Sequence, residues 1–285
     1  MNRSSKSTAA AIRVGVGGWT FEPWRGPFYP KGLPQKRELE YASHHLTSIE
    51  INGTYYGSQK PESFARWYEE TPDGFVFSVK GPRFATNRRV LAEAGASIER
   101  FVGGGVLRLK EKLGPINWQM LPTKQFDPED FEAFLRLLPA EADGQALRHV
   151  VELRHASFAC AECIALLRKY RIAAVVADHA KHPMLPDPTA PFIYVRLQRA
   201  SEQEEQGYPP DGLAQWAERA RTWAGGGTPA DLPAAAPPQH KAPRAREVFI
   251  YMINGFKPKA PVAAMALIER LGEANTIKRS LATIP

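Results

Sequence analysis

Seven short apolar runs in this chain end abruptly on a charged or amide side chain. They are SIEIN, FVFSVK, INWQ, VVELR, AAVVAD, FIYVR and VFIYMIN, closing on Asn52, Lys80, Gln119, Arg154, Asp178, Arg196 and Asn254. A strand covered on both faces reads as a near-continuous apolar run. A strand that turns polar only at its C-terminal end is emerging into a site shared with its neighbours. Helix-patterned stretches separate most of the runs. That alternation, with polarity at one strand end, predicts a (β/α)8 TIM-like barrel whose mouth carries the site. The pattern gives a place for chemistry but no reaction.

Eight strands are predicted: residues 12–18 (IRVGVGG), 48–52, 75–80, 115–121, 149–154, 172–178, 192–196 and 248–253. A helix begins at Pro61, a favoured first helical position, and sets Phe64, Trp67 and Tyr68 on one face. A longer helical region from about 88 to 113 is interrupted at Gly103 to Gly105. In PEDFEAFLRLL, Phe131, Phe134, Leu135 and Leu138 follow the i, i+3, i+4, i+7 pattern. Further helices are expected near 213–223 and from Pro261 onward. Between the sixth and seventh strands, Pro183, Pro186, Pro188 and Pro191 exclude a normal helix, so the sixth helix is expected to be reduced or missing. The polar loop QRASEQEEQGYPPD would lie over the mouth. Residues 1–11 read as a disordered tail and 12–275 as one barrel domain. The Gly/Pro/Ala-rich stretch 225–246 reads as a disordered insertion within it.

Composition narrows the class. The chain is 44% hydrophobic and 24% charged, as soluble globular proteins are, and carries a formal net charge of +7. No apolar stretch is long enough to span a bilayer. MNRSSKSTAAA lacks the apolar segment of a signal peptide, so a cytoplasmic location with no membrane partner is the expectation. The two cysteines, Cys160 and Cys163, have no second pair to complete a zinc site, and read as small residues on one helical face. Between Lys80 and Lys112 eight Lys and Arg stand against Glu93, Glu99 and Glu111. That stretch suits a polyanion such as nucleic acid, or is simply a solvated face.

Strand side chains alternate between faces. Glu50 and Asn52 share one, as do Glu152 and Arg154, and Tyr194, Arg196 and Gln198. The inward faces at the mouth would gather Glu50, Asn52, Lys80, Gln119, Glu152, Arg154, Asp178, Arg196 and Asn254. Charges are costly to bury unless paired or used. The plain alternative is a set of ion pairs, Glu152 with Arg196 or Asp178 with Arg154. A ligand site is preferred, and Arg and Lys at its rim favour an anion. In this reading Glu50, Glu152 and Asp178 are the candidate acid–base groups, and Lys80, Arg83, Arg154 and Arg196 bind the anion. Trp19, Trp24, Tyr55, Tyr56 and Phe84 fall in loops beyond strand ends, where they would stack on a sugar or base or pack under the loops. A divalent metal on Glu50, Glu152 and Asp178, near His155 or His179, is the weaker reading, because metal barrels place more imidazoles on the strands. No phosphate loop, dinucleotide fingerprint or nucleophile elbow is present.

The segments VGVGGWTFEPWRGPFYPKGLP, SIEINGTYY, FVFSVKGPRFATN, INWQMLP, VELRHASF, VVADH, YVRLQ and MINGFKPKAPVAA, in this order, resemble the YecE-like family, also called domain of unknown function seventy-two. The resemblance runs from about Ile12 to Leu271. It implies a TIM-like barrel, loosely similar to those of metal-dependent sugar isomerases and apurinic endonucleases, and no established activity. The chain departs from the family pattern at Thr86-Asn87, where Thr-His is common. It departs again at Arg196-Leu197-Gln198-Arg199, where Arg-Leu-His-Gly is common, and at Ile253-Asn254-Gly255. The missing imidazoles argue against histidine-based catalysis here. The expectation is an enzyme acting on a phosphate-bearing or otherwise anionic substrate, with phosphoester hydrolysis the most concrete version. The alternatives are a nucleic-acid or nucleotide binding protein and a sugar isomerase or lyase.

Overall fold

The computed structural model describes residues 10–238 and 244–272. Within them eight parallel strands close into a barrel: β1 (Ile12–Gly17), β2 (Ser48–Ile51), β3 (Val76–Lys80), β4 (Leu113–Gln119), β5 (His149–Glu152), β6 (Ala173–Asp178), β7 (Phe192–Leu197) and β8 (Glu247–Met252). Each strand pairs with its neighbours in sequence, and β8 pairs with β1 to close the ring. The strand-end pattern therefore located seven barrel strands and the glycine-rich run IRVGVGG the first, with ends shifted by at most two residues, while a short hairpin of Glu141–Ala142 and Gln145–Ala146 was not expected.

Alternation divides the core in two. Val150, Ala173, Val175, Ala177, Phe192, Tyr194, Phe249 and Tyr251 form a cluster inside the barrel. The opposite strand faces pack with the helices in a larger outer cluster. At the N-terminal end of the lumen, Glu247 accepts from both Arg13 and Arg148. Gly15 also faces inward, and a Cβ there would lie 1.8 Å from the Ser48 carbonyl oxygen, so the β1–β2 contact requires glycine.

The helices are α1 (Glu38–His45), the single turn α2 (Gly53–Tyr56), α3 (Pro61–Glu69), the single turn α4 (Arg83–Thr86), α5 (Gly95–Val102), α6 (Pro128–Leu137), α7 (Ala161–Tyr170), α8 (Pro210–Ala224) and α9 (Ala260–Leu271). Local chemistry explains their starts. Asp127 caps α6 by accepting from the Glu129 and Asp130 amides at 3.1 Å, with Pro128 in the first turn. The predicted break in the helical region falls after α5, where Gly105 adopts φ +106° before a 3-10 segment, Val106–Lys112. Residues 179–191 contain no helix, as the prolines require.

The stretch 225–246 differs from its expectation over the residues described. Asp187, 5% exposed, accepts from the Ala235 and Ala236 amides at 2.9 and 3.1 Å. Asp231 is bound by Arg219 and Gln215 of α8. Residues 225–238 are thus held by side chains elsewhere in the chain, which composition does not reveal. Residues 239–243 lie outside the described residues, as does the tail up to residue 9. No helix among the described residues is long and apolar enough to cross a membrane.

Candidate active site at the barrel mouth

The inward side chains at the C-terminal ends of β2, β5 and β7 meet across the lumen. Arg196, on β7, donates through Nη1 to Glu152 Oε2 at 2.5 Å and through Nη2 to Glu50 Oε1 at 3.0 Å. Arg154 adds a second guanidinium, with Nε and Nη2 at 3.0 and 2.9 Å from Glu152 Oε1. Glu50 Oε2 accepts from the Tyr194 hydroxyl at 2.6 Å and from Asn117 Nδ2 at 3.4 Å. Tyr194 sits a further 2.7 Å from the Ser78 hydroxyl. Side chains of β4 and β7 therefore tie the Glu50 carboxylate in place, with Ser78 of β3 behind Tyr194.

This network sets the charge states. Burial works against ionisation of Glu152, but the Arg196 and Arg154 guanidiniums outweigh it and hold the carboxyl at about 2. Burial opposes the charge on Arg196 as well, and the two glutamates reverse that effect and raise it. Two carboxylates and two guanidiniums compensate one another. Lys80, 5% exposed, pairs with no carboxylate among the described residues: Nζ donates to Gln119 Oε1 and lies 4.6 Å from the centroid of the Tyr55 ring. Burial, together with the nearby Arg196 charge, pushes the Lys80 ammonium down to about 8.

Above the network opens a cavity of about 650 Å³. Its charged lining is Lys80, Arg154, Arg196 and Lys257, and its other walls include Trp19, Asn52, Tyr56, Gln119 and Asn254. Neither Glu50 nor Glu152 lines it; they lie behind the guanidiniums, 0% and 1% exposed. Gly17 is part of the wall, where a Cβ would come 2.7 Å from Asn52 Nδ2.

The strand-end residues thus separate into groups. Glu50, Lys80, Gln119, Glu152, Arg154 and Arg196 converge, and Asn52, Asn254 and Trp19 border the same cavity. Asn254 is exposed, its Nδ2 donating to Gln198 Oε1 at 3.1 Å. Tyr55 lies beneath Lys80 rather than on the cavity wall. Asp178 does not join them. Inward positions on β6 are Ala173, Val175 and Ala177, so Asp178 faces the outer layer and pairs with Arg199 at 3.1 Å. Its carboxyl is raised by burial, which Arg199 partly offsets. Arg83 also lies apart, exposed on α4 beside the Tyr56 and Phe84 rings. Of the two ion pairs considered from sequence, Glu152–Arg196 forms, and Asp178 takes Arg199 in place of Arg154.

Some participants went unnoticed in the sequence. Asn117 stands two residues before Gln119 and so shares its face, a signal that was available. Lys257 follows the last strand with no pattern to mark it. Its ammonium sits 4.4 Å from the Phe21 centroid and is lowered by burial. The basic stretch is no single face: Lys112 is buried, donating to the Tyr68 and Thr71 carbonyls at 2.7 and 2.6 Å. Cys160 and Cys163 are both free thiols. Among the described residues no group of three or more His, Cys, Asp or Glu is placed to hold a metal ion.

Comparison with known proteins places this architecture. The chain is 29% identical over 150 residues to protein YecE of Escherichia coli, covering 52% of this chain and 50% of that protein, so the match spans about half the relative's length. A DUF72 family protein of Thermotoga maritima superposes with TM-score 0.69 at 22% identity, over 92% of this chain and 99% of that one. A DUF72 family protein of Enterococcus faecalis gives TM-score 0.67 at 17% identity, over 93% and 98%. At these identities the two structures bear on the fold alone. The sequence pattern of the family described as protein of unknown function DUF72 matches residues 13–283, and the chain belongs to that family.

Proposed function

We propose that this protein is an enzyme acting on a small anionic substrate bound in the barrel mouth. One observation carries the reading: among the described residues every charged side chain lining the cavity is cationic, and Glu50 and Glu152, which could cancel them, lie behind the guanidiniums and are already hydrogen-bonded. The geometry supports a revised assignment of roles. Glu152, held at about 2, is a poor proton donor or acceptor near neutral pH, and Glu50 is occupied by Arg196, Tyr194 and Asn117. Both carboxylates serve to orient Arg196 and Arg154. The guanidiniums in turn bind the anion and stabilise negative charge that develops on it. Lys80, lowered to about 8, is a cavity group whose proton is exchangeable at mild pH. A phosphate ester fits this lining, as does a carboxylate.

Thermal stabilisation tests the reading. A ligand that binds the folded state raises stability by RT ln(1 + [L]/Kd). Phosphate, sulfate and citrate should each raise the melting temperature of the protein and fail to do so for Arg154→Met, while uncharged sugars do nothing to either. Equal response of the two proteins to the anions would remove the mouth as the binding site.

A second reading has its own observation. Tyr56 and Phe84 are 67% and 60% exposed, and Arg83 lies 6.0 and 5.6 Å from their ring centroids. Aromatic platforms with an interleaved arginine beside a cationic mouth suit single-stranded nucleic acid. Oligonucleotide titration of Phe84→Ala against the unchanged protein distinguishes this from simple anion binding.

A further inference from the structure

Two primary amines line the cavity, and they differ in setting. Lys257 is half-buried at the rim over Phe21 and Trp24. Lys80 ends a barrel strand at the floor, fixed between the Tyr55 ring and the Gln119 amide oxygen. A lysine needed only to hold an anion is most useful when permanently charged. Lys80 stands where charge is least favoured. Facing it are Arg196 from β7, Glu152 from β5, Arg154 two residues beyond that strand, and Glu50 from β2, a set that sums to zero charge without it. Each carboxylate oxygen of that set is committed elsewhere. Burial and the two guanidiniums therefore disfavour the ammonium more than Glu50 and Glu152 restore it, which is how proteins prepare a nucleophilic amine.

Resting on the anion-binding reading, we infer that Lys80 is a nucleophile that forms an imine with a small carbonyl compound carrying a carboxylate or phosphate. The neutral amine attacks the carbonyl carbon. A C–N bond forms and the carbonyl π pair moves onto oxygen, which takes up a proton to give a carbinolamine. The C–O bond then breaks. The carbonyl oxygen leaves as water with the two hydrogens that the amine nitrogen gives up, transferred through solvent at the open mouth, and a C=N bond remains. No oxidant or reductant is consumed. The substrate anion lies against Arg154 and Arg196, which places the carbonyl group over the amine. The imine then withdraws electrons from the neighbouring carbon, so the substrate class is a keto acid or a carbonyl phosphate, and the chemistry is bond making or breaking alpha to the carbonyl. The burial-lowered value of about 8 leaves a usable share of free amine at mild pH.

The test is reductive trapping. Intact protein is incubated with pyruvate or with dihydroxyacetone phosphate, then with sodium cyanoborohydride, and the adduct is located by peptide mass mapping. Acetone is the uncharged control. The expected result is an adduct on Lys80 that forms at least about tenfold faster with the anionic compounds than with acetone, the worth of one charge-assisted hydrogen bond. It should be absent from Lys80→Met. Its rate should level off above about pH 8, while labelling of surface lysines keeps climbing towards their usual value of about 10.4. Adducts spread over surface lysines and unchanged in Lys80→Met would overturn the proposal. So would the lack of any Lys80 adduct in a protein that still binds inorganic phosphate by calorimetry, a result that leaves the anion site standing. Loss of both signals in the unaltered protein would remove the anion site as well.

Discussion

Arg196 and Glu50 meet across the barrel lumen, Nη2 donating to Oε1 at 3.0 Å, although their strands β7 and β2 are separated in the sheet by β8 and β1. The contact spans the lumen instead of running along the sheet, and both partners are almost wholly buried. Arg196→Met would leave Glu50 and Glu152 without their shared guanidinium, so a loss of about 3–5 kcal/mol in urea unfolding is expected. Arg154→Met should cost less, about 1–3 kcal/mol, because it strands only Glu152 Oε1 while Oε2 keeps Arg196. Equal losses for the two variants would contradict the division into a buried strut and a ligand-facing arm.

Lys80 makes the protein's stability depend on alkaline pH. Its folded value of about 8 lies below the unfolded value of about 10.4, so the unfolded chain binds the proton more tightly. The stabilising contribution is present above about pH 10.4 and is lost as pH falls through about 8. Lys80→Met should therefore be more stable than the unaltered protein at pH 7, by about 2–3 kcal/mol, with the difference shrinking between about pH 8 and 10.4. Denaturant titrations across that window measure it. A constant difference would mean that Lys80 titrates normally.

His149 does the same on the acid side. Burial pushes its imidazole down to about 4, against the backbone oxygen of Pro139, which accepts from Nε2 at 2.7 Å. The other ring nitrogen accepts from Trp118 Nε1 at 3.1 Å, which requires the neutral ring. Stability should fall by about 3 kcal/mol as pH drops from about 6.5 to 4. The Glu152 carboxylate adds a later loss, from about pH 4.3 down to about 2. Replacing His149 by Gln should flatten the upper of these windows and leave the lower one; an unchanged upper slope would assign it to other groups.

The strands and most of the mouth were legible because strand ends break a simple rule: apolar runs stop where side chains reach the cavity. The rule failed where the run carried no alternation. AAVVAD is buried on both faces, so nothing in it tells which way Asp178 points, and the observed inward set Ala173, Val175 and Ala177 sends it outward. Arg83, expected among the anion-binding residues, lies on a short helical turn after β3 that carries it away from the mouth. The roles of Glu50 and Glu152 depend on Arg196 lying between them, a pairing between strands far apart in the chain that no local spacing encodes.

The same limit explains residues 225–238. Their Gly, Pro and Ala content predicts no core, yet the anchor is Asp187, 48 and 49 residues away from the amides that it accepts. Asp187→Ala would leave the Ala236 amide, in a buried residue, without its acceptor, and should destabilise by about 1–3 kcal/mol. Thermal unfolding measures this, and protease cleavage within 225–238 should accelerate in parallel. A change in neither would restore the expectation drawn from composition.

Calorimetric titration with inorganic phosphate at neutral pH and low ionic strength tests the anion-binding mouth most directly. The unaltered protein should bind one phosphate per chain with a dissociation constant below about 1 mM, equivalent to about 4 kcal/mol. Arg154→Met should bind at least about tenfold more weakly, since a charge-assisted hydrogen bond to the anion is lost, while staying folded because Glu152 Oε2 keeps Arg196. No saturable heat in the unaltered protein up to several times about 1 mM, or equal binding by Arg154→Met, would contradict the account.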